Sequence, residues 1–219
     1  MKPFIALTAT AAVLSIVACG PSEAEIAAAK EKAVKDSIEA AASMEKTYMV
    51  DAAASTIAWA GHTSGAKVYG HNGSISLNNG TITVKGGALL GGKFEVNMTA
   101  ITPLDSNYAP DGSKEGTKAN LLQHLTTADF FLTDSFPTAT FVVQSVEGNT
   151  ATGELTVKGK TNTEKITDIT ITEENGTAKA AGKLVFDRQK YGVAWKHFMK
   201  DVLLADDIEL TIELVGNAQ

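Results

Sequence analysis

From residue 47 onward, apolar and polar side chains alternate in short, evenly spaced runs. Residues 56–61 set Ile57 and Trp59 against Thr56, Ala58 and Ala60, and residues 93–99 set Phe94, Val96 and Met98 against Lys93, Glu95, Asn97 and Thr99. Leu155 and Val157 alternate with polar neighbours, and Ile208, Leu210, Ile212 and Leu214 fall on one face. Successive side chains of a strand point to opposite sides of a sheet, so these runs predict half-buried β-strands. Asn72-Gly73, Asn79-Gly80, Gly148-Asn149 and Asn175-Gly176 read as hairpin signals between them. About eight strands in one unit of roughly 170 residues predict an all-β barrel or sandwich. Alternation alone does not separate a filled core from a barrel that holds a ligand, because eight strands is the size at which either occurs.

One interruption, over residues 102–137, breaks the strand pattern. Residues 105–116 are polar and loop-like, whereas residues 117–125 predict a short helix with Leu121, Leu122 and Leu125 on one side. The stretch from His124 to Phe141 then holds four of the eight phenylalanines. Phenylalanine neither moves protons nor binds metals, so this knot is core, partner surface or pocket wall. Phe130, Phe131 and Phe136 are expected to pack a helical cap onto the barrel end. Pro137 favours an extended Phe136 and the start of the next strand.

The chain opens differently. Lys2 precedes an apolar run over residues 4–17, too short to span a bilayer, and Ile16-Val17-Ala18-Cys19 follows. Residues 1–18 read as a signal peptide, and the single cysteine, Cys19, resembles the acylated first residue of a mature bacterial lipoprotein. Two or more acyl chains there would anchor the protein stably, whereas one chain binds only marginally. Residues 19–46 follow as lipidated cysteine and spacer. They are rich in Ala, Glu and Lys, carry a helix-start signal at Ser22-Glu23-Ala24-Glu25, and have only a thin apolar stripe at Ile26, Val34, Ile38 and Met44. A helical stalk is expected, with the barrel beginning at residue 47 and ending near 216.

Composition narrows the chemistry. The net charge is −6, and loss of Lys2 with the leader makes it −7, a balance that disfavours nucleic acid. His62, His71, His124 and His197 show no metal-ligand spacing, so no metal and no cofactor are expected. Asp105-Ser106-Asn107 with Asp111-Gly112 resembles a calcium loop only in part, since Ala109 and Pro110 stand where an oxygen ligand and the turn glycine belong. There is no GxSxG, and the glycine pairs flank strands rather than opening a helix. No catalytic residue is assigned, although His124 with Asp129 is the acid–base pair an enzyme would use.

In order along residues 48–215, the chain carries Tyr48-Met49-Val50-Asp51 with Ser55 and Trp59, His71-Asn72-Gly73, and Gly91-Gly92-Lys93-Phe94-Glu95-Val96-Asn97-Met98. Leu122-Gln123-His124-Leu125 follows with Asp129-Phe130-Phe131, then Phe136-Pro137-Thr138-Ala139-Thr140-Phe141 and Gly153-Glu154-Leu155-Thr156-Val157-Lys158-Gly159. Phe186-Asp187-Arg188, Tyr191-Gly192 and Asp206-Asp207-Ile208 complete the set. This ordered set resembles the YceI-like family. The resemblance implies an eight-stranded antiparallel, lipocalin-like barrel with helices at one end and a long apolar tunnel for a polyisoprenoid, quinone-like lipid. Two departures stand out: Ala54 in place of a frequent histidine, and residues 195–199 in place of a Gly- and Ser-rich stretch. On this reading Ile57, Trp59, Phe94, Val96, Met98, Phe141, Val143, Leu155, Val157 and Phe186 line the ligand site. The protein is expected to be a periplasmic carrier or scavenger, tethered through Cys19 to a membrane of the bacterial envelope, with the outer membrane favoured. An enzyme acting on an amphipathic lipid in the same tunnel, and a ligand-free stress or interaction module, are the alternatives. Whether the barrel forms a homodimer stays open.

Overall fold

The computed structural model describes residues 21–65, 68–196 and 202–219. The chain divides into two units, 1–41 and 42–219. All but the last residue of α1 (Glu23–Ala42) lies in the first, and a capping box starts the helix. The Ser22 hydroxyl accepts from the Glu25 amide at 3.3 Å, and the Glu25 carboxylate accepts from the Ser22 amide at 2.7 Å. Both donors would otherwise be orphaned at the helix start, which is why Ser-x-x-Glu marks the boundary so sharply. Cys19 and the leader lie outside the described residues.

The second unit contains β1 (Glu45–Val50), β2 (Thr56–Gly65), β3 (Gly70–Lys85), β4 (Ala88–Pro103), α2 (Lys118–Thr126), β5 (Thr138–Glu147), β6 (Thr150–Val157), β7 (Lys160–Glu174), β8 (Thr177–Asp187) and β9 (Val202–Ala218). Each strand pairs antiparallel with its neighbours, and β9 returns to β2 to close the sheet. Nine segments fill eight barrel positions. Met49 of β1 pairs with Thr81 of β3 and Asn217 of β9, while Ile57 of β2 pairs with Ile75 and Ile212 of the same two strands. β1 and β2 are therefore successive pieces of one strand, broken by a turn in which the Asp51 carboxylate accepts from the amides of Ala53 and Ala54. Ala54 sits in this turn and is exposed.

Two of the four expected hairpins form as read, at Gly148-Asn149 and Asn175-Gly176. Asn72-Gly73 and Asn79-Gly80 do not turn; both lie inside β3. The reason is space rather than backbone freedom. A Cβ at Gly73 would stand 2.1 Å from the Thr102 carbonyl oxygen and 2.7 Å from the Trp59 ring, and one at Gly80 would stand 2.9 Å from Phe94, so Gly73 makes room for the β4 backbone and an inward aromatic, and Gly80 for another aromatic. The β3–β4 turn falls instead at Gly86-Gly87, and a further one at Lys158-Gly159, all four residues at positive φ.

The interruption spans 104–137, between β4 and β5, as the lost alternation predicts. Thr117 caps α2, exchanging hydrogen bonds with Asn120. α2 and the following turns cover one barrel end, and the Lys158 ammonium at the β6–β7 turn donates to the Ala128 carbonyl at 3.1 Å. A second cover segment, 188–196, follows β8 and is held by Arg188. This guanidinium, with its side chain 3% exposed, donates to the carbonyls of Val193 (2.5 Å), Ala205 (3.0 Å), Trp195 (3.2 Å) and Leu204 (3.4 Å), and to the Asp206 carboxylate (3.1 Å). A buried cation is tolerated because its donors are all spent on oxygen.

Candidate functional site

Directly opposed residues of an antiparallel pair share a face, so the register shows which side chains meet inside. Phe94 opposes Phe141, which opposes Leu155; Trp59 opposes Leu210, which opposes Leu184; Phe186 opposes Ile208. These side chains do not fill the barrel. A cavity of about 160 Å³ lies under the cap, walled in part by Trp59, Met98, Leu125, Phe130, Val157 and Phe186. A second, of about 90 Å³, lies deeper, among Leu77, Phe94, Phe141, Val143, Ile171 and Leu214. Both touch Ile57, Val96, Ala139, Leu155 and Leu210, which form a waist between two chambers of one interior. The inward residues Val96, Val143, Ile166, Leu210 and Ile212 remain only half-buried, as expected of side chains that face a void rather than a neighbour.

All ten residues expected at the site line this interior. Phe94, Phe141 and Val143 wall the deep chamber; Trp59, Met98, Val157 and Phe186 wall the upper one; Ile57, Val96 and Leu155 wall both. Alternation did not single out Leu77, Leu89, Ile101, Ile166, Ile171 or Leu184, which also line it. β3 carries Gly73 and Gly80, which disguise it as turns, and β7 has a register shift between Thr167 and Thr170 that breaks its period. The aromatic knot resolves by position. Phe130 and Phe131 line the upper chamber, Phe141 the deep one, and Phe136 packs beside Gly159 at the β6–β7 turn.

A carbon-lined cavity of about 150 Å³ stays dry and accepts one six-carbon ring. By that measure the two chambers as they stand hold roughly two isoprene units. Among the described residues, the one ionisable side chain on their walls is His71, at the rim. Glu164 is buried on the inward side of β7 yet lies off both chambers. It accepts from the Tyr191 hydroxyl at 3.1 Å, with Lys190 Nζ at 3.6 Å, and burial followed by the Glu164 charge raises the Tyr191 pKa.

Outside the upper chamber, an open groove of about 500 Å³ is lined by His71, Tyr108, Glu115, Thr117, Asn120, Leu121, His124 and Trp195. His71 and Leu121 belong to both groove and chamber and so form the partition between them. His71 Nδ1 lies 3.2 Å from Asp105, and its ring stacks on Tyr108 with centroids 5.1 Å apart. The Asp105 carboxylate also accepts from the Tyr108 hydroxyl (2.6 Å) and from the amides of Asn107 (2.9 Å) and Asn72 (3.1 Å). Burial opposes the Asp105 charge, but these hydrogen bonds outweigh it and hold the carboxyl at about 2. On α2, His124 Nδ1 stands 2.9 Å from Asp129, while Nε2 is buried without a hydrogen-bond partner and the ring meets Trp195 edge-on at 4.3 Å. The pair marked by sequence is thus real, but His124 is absent from the walls of both chambers. No cluster of metal-binding side chains occurs among the described residues, and no described helix is long and apolar enough to cross a membrane. His197 lies outside the described residues.

A closed antiparallel barrel of eight positions, capped at one end and hollow with hydrocarbon walls, has the architecture of a lipocalin-like binding protein. The chain belongs to the YceI-like family, whose domain model matches residues 48–216. This is a family of binding proteins, periplasmic, whose barrels take hydrophobic ligands. A UPF0312 protein of Staphylococcus aureus strain USA300 is 36% identical over 98 residues, 39% of this chain and 55% of that protein. Its counterpart in strain MW2 is 35% identical over 98 residues, with the same coverage. The chain therefore spans about half the length of these curated relatives. The crystal structure of Burkholderia cenocepacia BcnA shares the fold at a TM-score of 0.55 and 20% identity, over 76% of this chain and 98% of that one. The Campylobacter jejuni YceI protein is 18% identical with a TM-score of 0.42, over 61% of this chain and 75% of that one.

Proposed function

We propose that this protein is a cell-envelope carrier or scavenger of a long-chain isoprenoid, quinone-like lipid, anchored to the membrane through acylated Cys19. The supporting observation is the hollow interior, whose walls are hydrocarbon from the waist to the far end. Such a surface gains about 25 cal/mol for each Å² taken from water, which suits a prenyl tail and needs no chemistry. Ile57, Trp59, Phe94, Val96, Met98, Phe141, Val143, Leu155, Val157 and Phe186 are the tail-contacting residues. Tails longer than the resting chambers are taken by rotation of the waist side chains Ile57, Val96, Leu155 and Leu210, with the head left in the outer groove. No metal or cofactor takes part, and neither nucleic acid nor a second copy is needed for the site. An enzymatic role for His124 and Asp129 is disfavoured, because the free imidazole nitrogen is buried beside Trp195 rather than open to the chambers.

Solvent extraction of the protein purified from a bacterial envelope, followed by mass spectrometry, tests the reading. One prenyl lipid near one equivalent is the expected result. Repeated purification free of lipid, with no uptake of added prenyl quinone, would replace the carrier with a ligand-free module.

A further inference from the structure

At the end of the barrel remote from the cap, three elements meet at one carboxylate. Glu173 follows Ile171, a wall residue of the deep chamber, at the two-residue spacing that keeps side chains on one face of a strand, so it points inward just beyond that wall. Its carboxylate accepts from the Tyr48 hydroxyl and, at 3.3 Å, from the Lys46 ammonium, both on β1, and from the Gly87 amide in the β3–β4 turn. The Tyr48 hydrogen bond is the largest influence holding Glu173 below its ordinary pKa against burial, while burial first and Glu173 second push Tyr48 up to about 12. The hydroxyl stays protonated and the carboxylate charged, a donor and an acceptor with matched roles.

The bond is a chord across the barrel. β1 pairs with β3 and β9, and β7 pairs with β6 and β8, so β8 and β9 separate its two ends along the wall. Tyr48 opposes Ile82, another wall residue of the deep chamber, and shares its inward face. Packing closes around it: Tyr48 is 1% exposed, Val84 and Ala178 are fully buried, and none of the three lines a chamber. A tail descending through the deep chamber meets a phenol ring held at both ends.

We infer that Tyr48, bolted across the barrel to Glu173, is the floor of the tail site and fixes the length beyond which further isoprene units add nothing to binding. This rests on the carrier reading of the interior. Along β3, His71 at the rim and Ile82 beside Tyr48 stand eleven positions apart. At about 3.3 Å per residue and a strand tilt near 40°, the depth is roughly 28 Å. An extended chain advances about 1.2 Å per backbone bond, so a unit of four such bonds takes about 5 Å and a straight tail reaches the floor in about five units.

Prenyl quinones sharing one ring and carrying two, four, six, eight or ten units are titrated into the full chain in one detergent. Quenching of tryptophan fluorescence reports binding, since Trp59 lies in the upper chamber, and every variant is melted alongside. In the wild type, affinity rises with length to about five units and is level beyond. Tyr48→Ala removes the ring, and Glu173→Ala leaves the ring but frees its far side. Both carry the rise past five units, so the eight-unit quinone binds at least about tenfold tighter than to wild type. The two-unit quinone, which never reaches the floor, binds all three proteins equally and reports an intact upper barrel. A bolt that served stability alone would shift melting and leave the length profile unmoved. If Tyr48→Ala does not melt cooperatively, Glu173→Ala decides. A wild-type rise that continues unbroken to ten units, or a break at the same length in folded Glu173→Ala, overturns the floor and leaves the tail site in place. If no length binds, the carrier reading fails and takes the floor with it.

Discussion

Substitution of Val143 by tryptophan separates a tail-binding interior from an incidental void. Val143 lines only the deep chamber, stays half-buried, and points into about 90 Å³ of open space. An indole there occupies space that is already empty, so the penalty belongs at or below the low end of the 1–3 kcal/mol typical of overpacked cores. Its effect on a ligand is larger. A chamber of this size takes about one isoprene unit, and at about 0.8 kcal/mol per buried carbon the five displaced carbons cost up to about 4 kcal/mol, two to three orders of magnitude in affinity. The loss is graded by tail length, because the upper chamber and its cap are untouched. Prenyl quinones with one unit keep their affinity, whereas those with four or more lose most of it. Titrations across a tail-length series, with thermal melting of each variant, measure both quantities. Long tails bound as tightly by Val143→Trp as by wild type, with the fold retained, would refute the placement of the tail.

Four further outcomes follow from particular contacts. Arg188→Met strands the carbonyls of Val193, Trp195, Leu204 and Ala205 and is expected to cost about 3–5 kcal/mol in denaturant unfolding; a loss under about 1 kcal/mol would show the staple to be ornamental. Asp105, held at about 2 against an ordinary 3.8, contributes stability that is complete above pH 4 and lost as pH falls toward 2; Asp105→Asn should flatten that acid limb, and an unaltered limb counts against the assignment. Cys19→Ser should leave the protein soluble or unprocessed on cell fractionation, and wild-type membrane attachment of the mutant would remove the anchor. Residues 43–219 should fold without α1 and give a β-type circular dichroism spectrum, since the strands close among themselves; an unfolded fragment would make the helix part of the domain.

The barrel was legible because β4 between Phe94 and Met98, β5 between Ala139 and Val143, β6 and β9 hold their alternation over residues that face inward. The interruption was legible for the complementary reason: residues 104–137 lose the period and gain a capping sequence at Thr117. Legibility failed where an inward side chain is absent. Gly73 and Gly80 yield space to Trp59 and Phe94, so the middle of β3 reads as two turns, and Leu77 and Ile82 beside them pass unnoticed. Arg188, a charged residue in a polar run, gave no sign that it would be buried under a ring of carbonyls. The His71–Asp105 contact joins residues 34 apart in the chain, which no local pattern reports. Nor does alternation distinguish a filled interior from a hollow one; that difference is one of volume, set by how side chains from eight strand positions meet.

A crystal structure of the protein loaded with a prenyl quinone of at least four units is the most direct measurement. The account predicts continuous tail density from the His71–Leu121 rim, past the waist at Ile57, Val96, Leu155 and Leu210, and into the chamber beneath Val143. An interior closed by those side chains, with the lipid on the outer surface or absent, would contradict it.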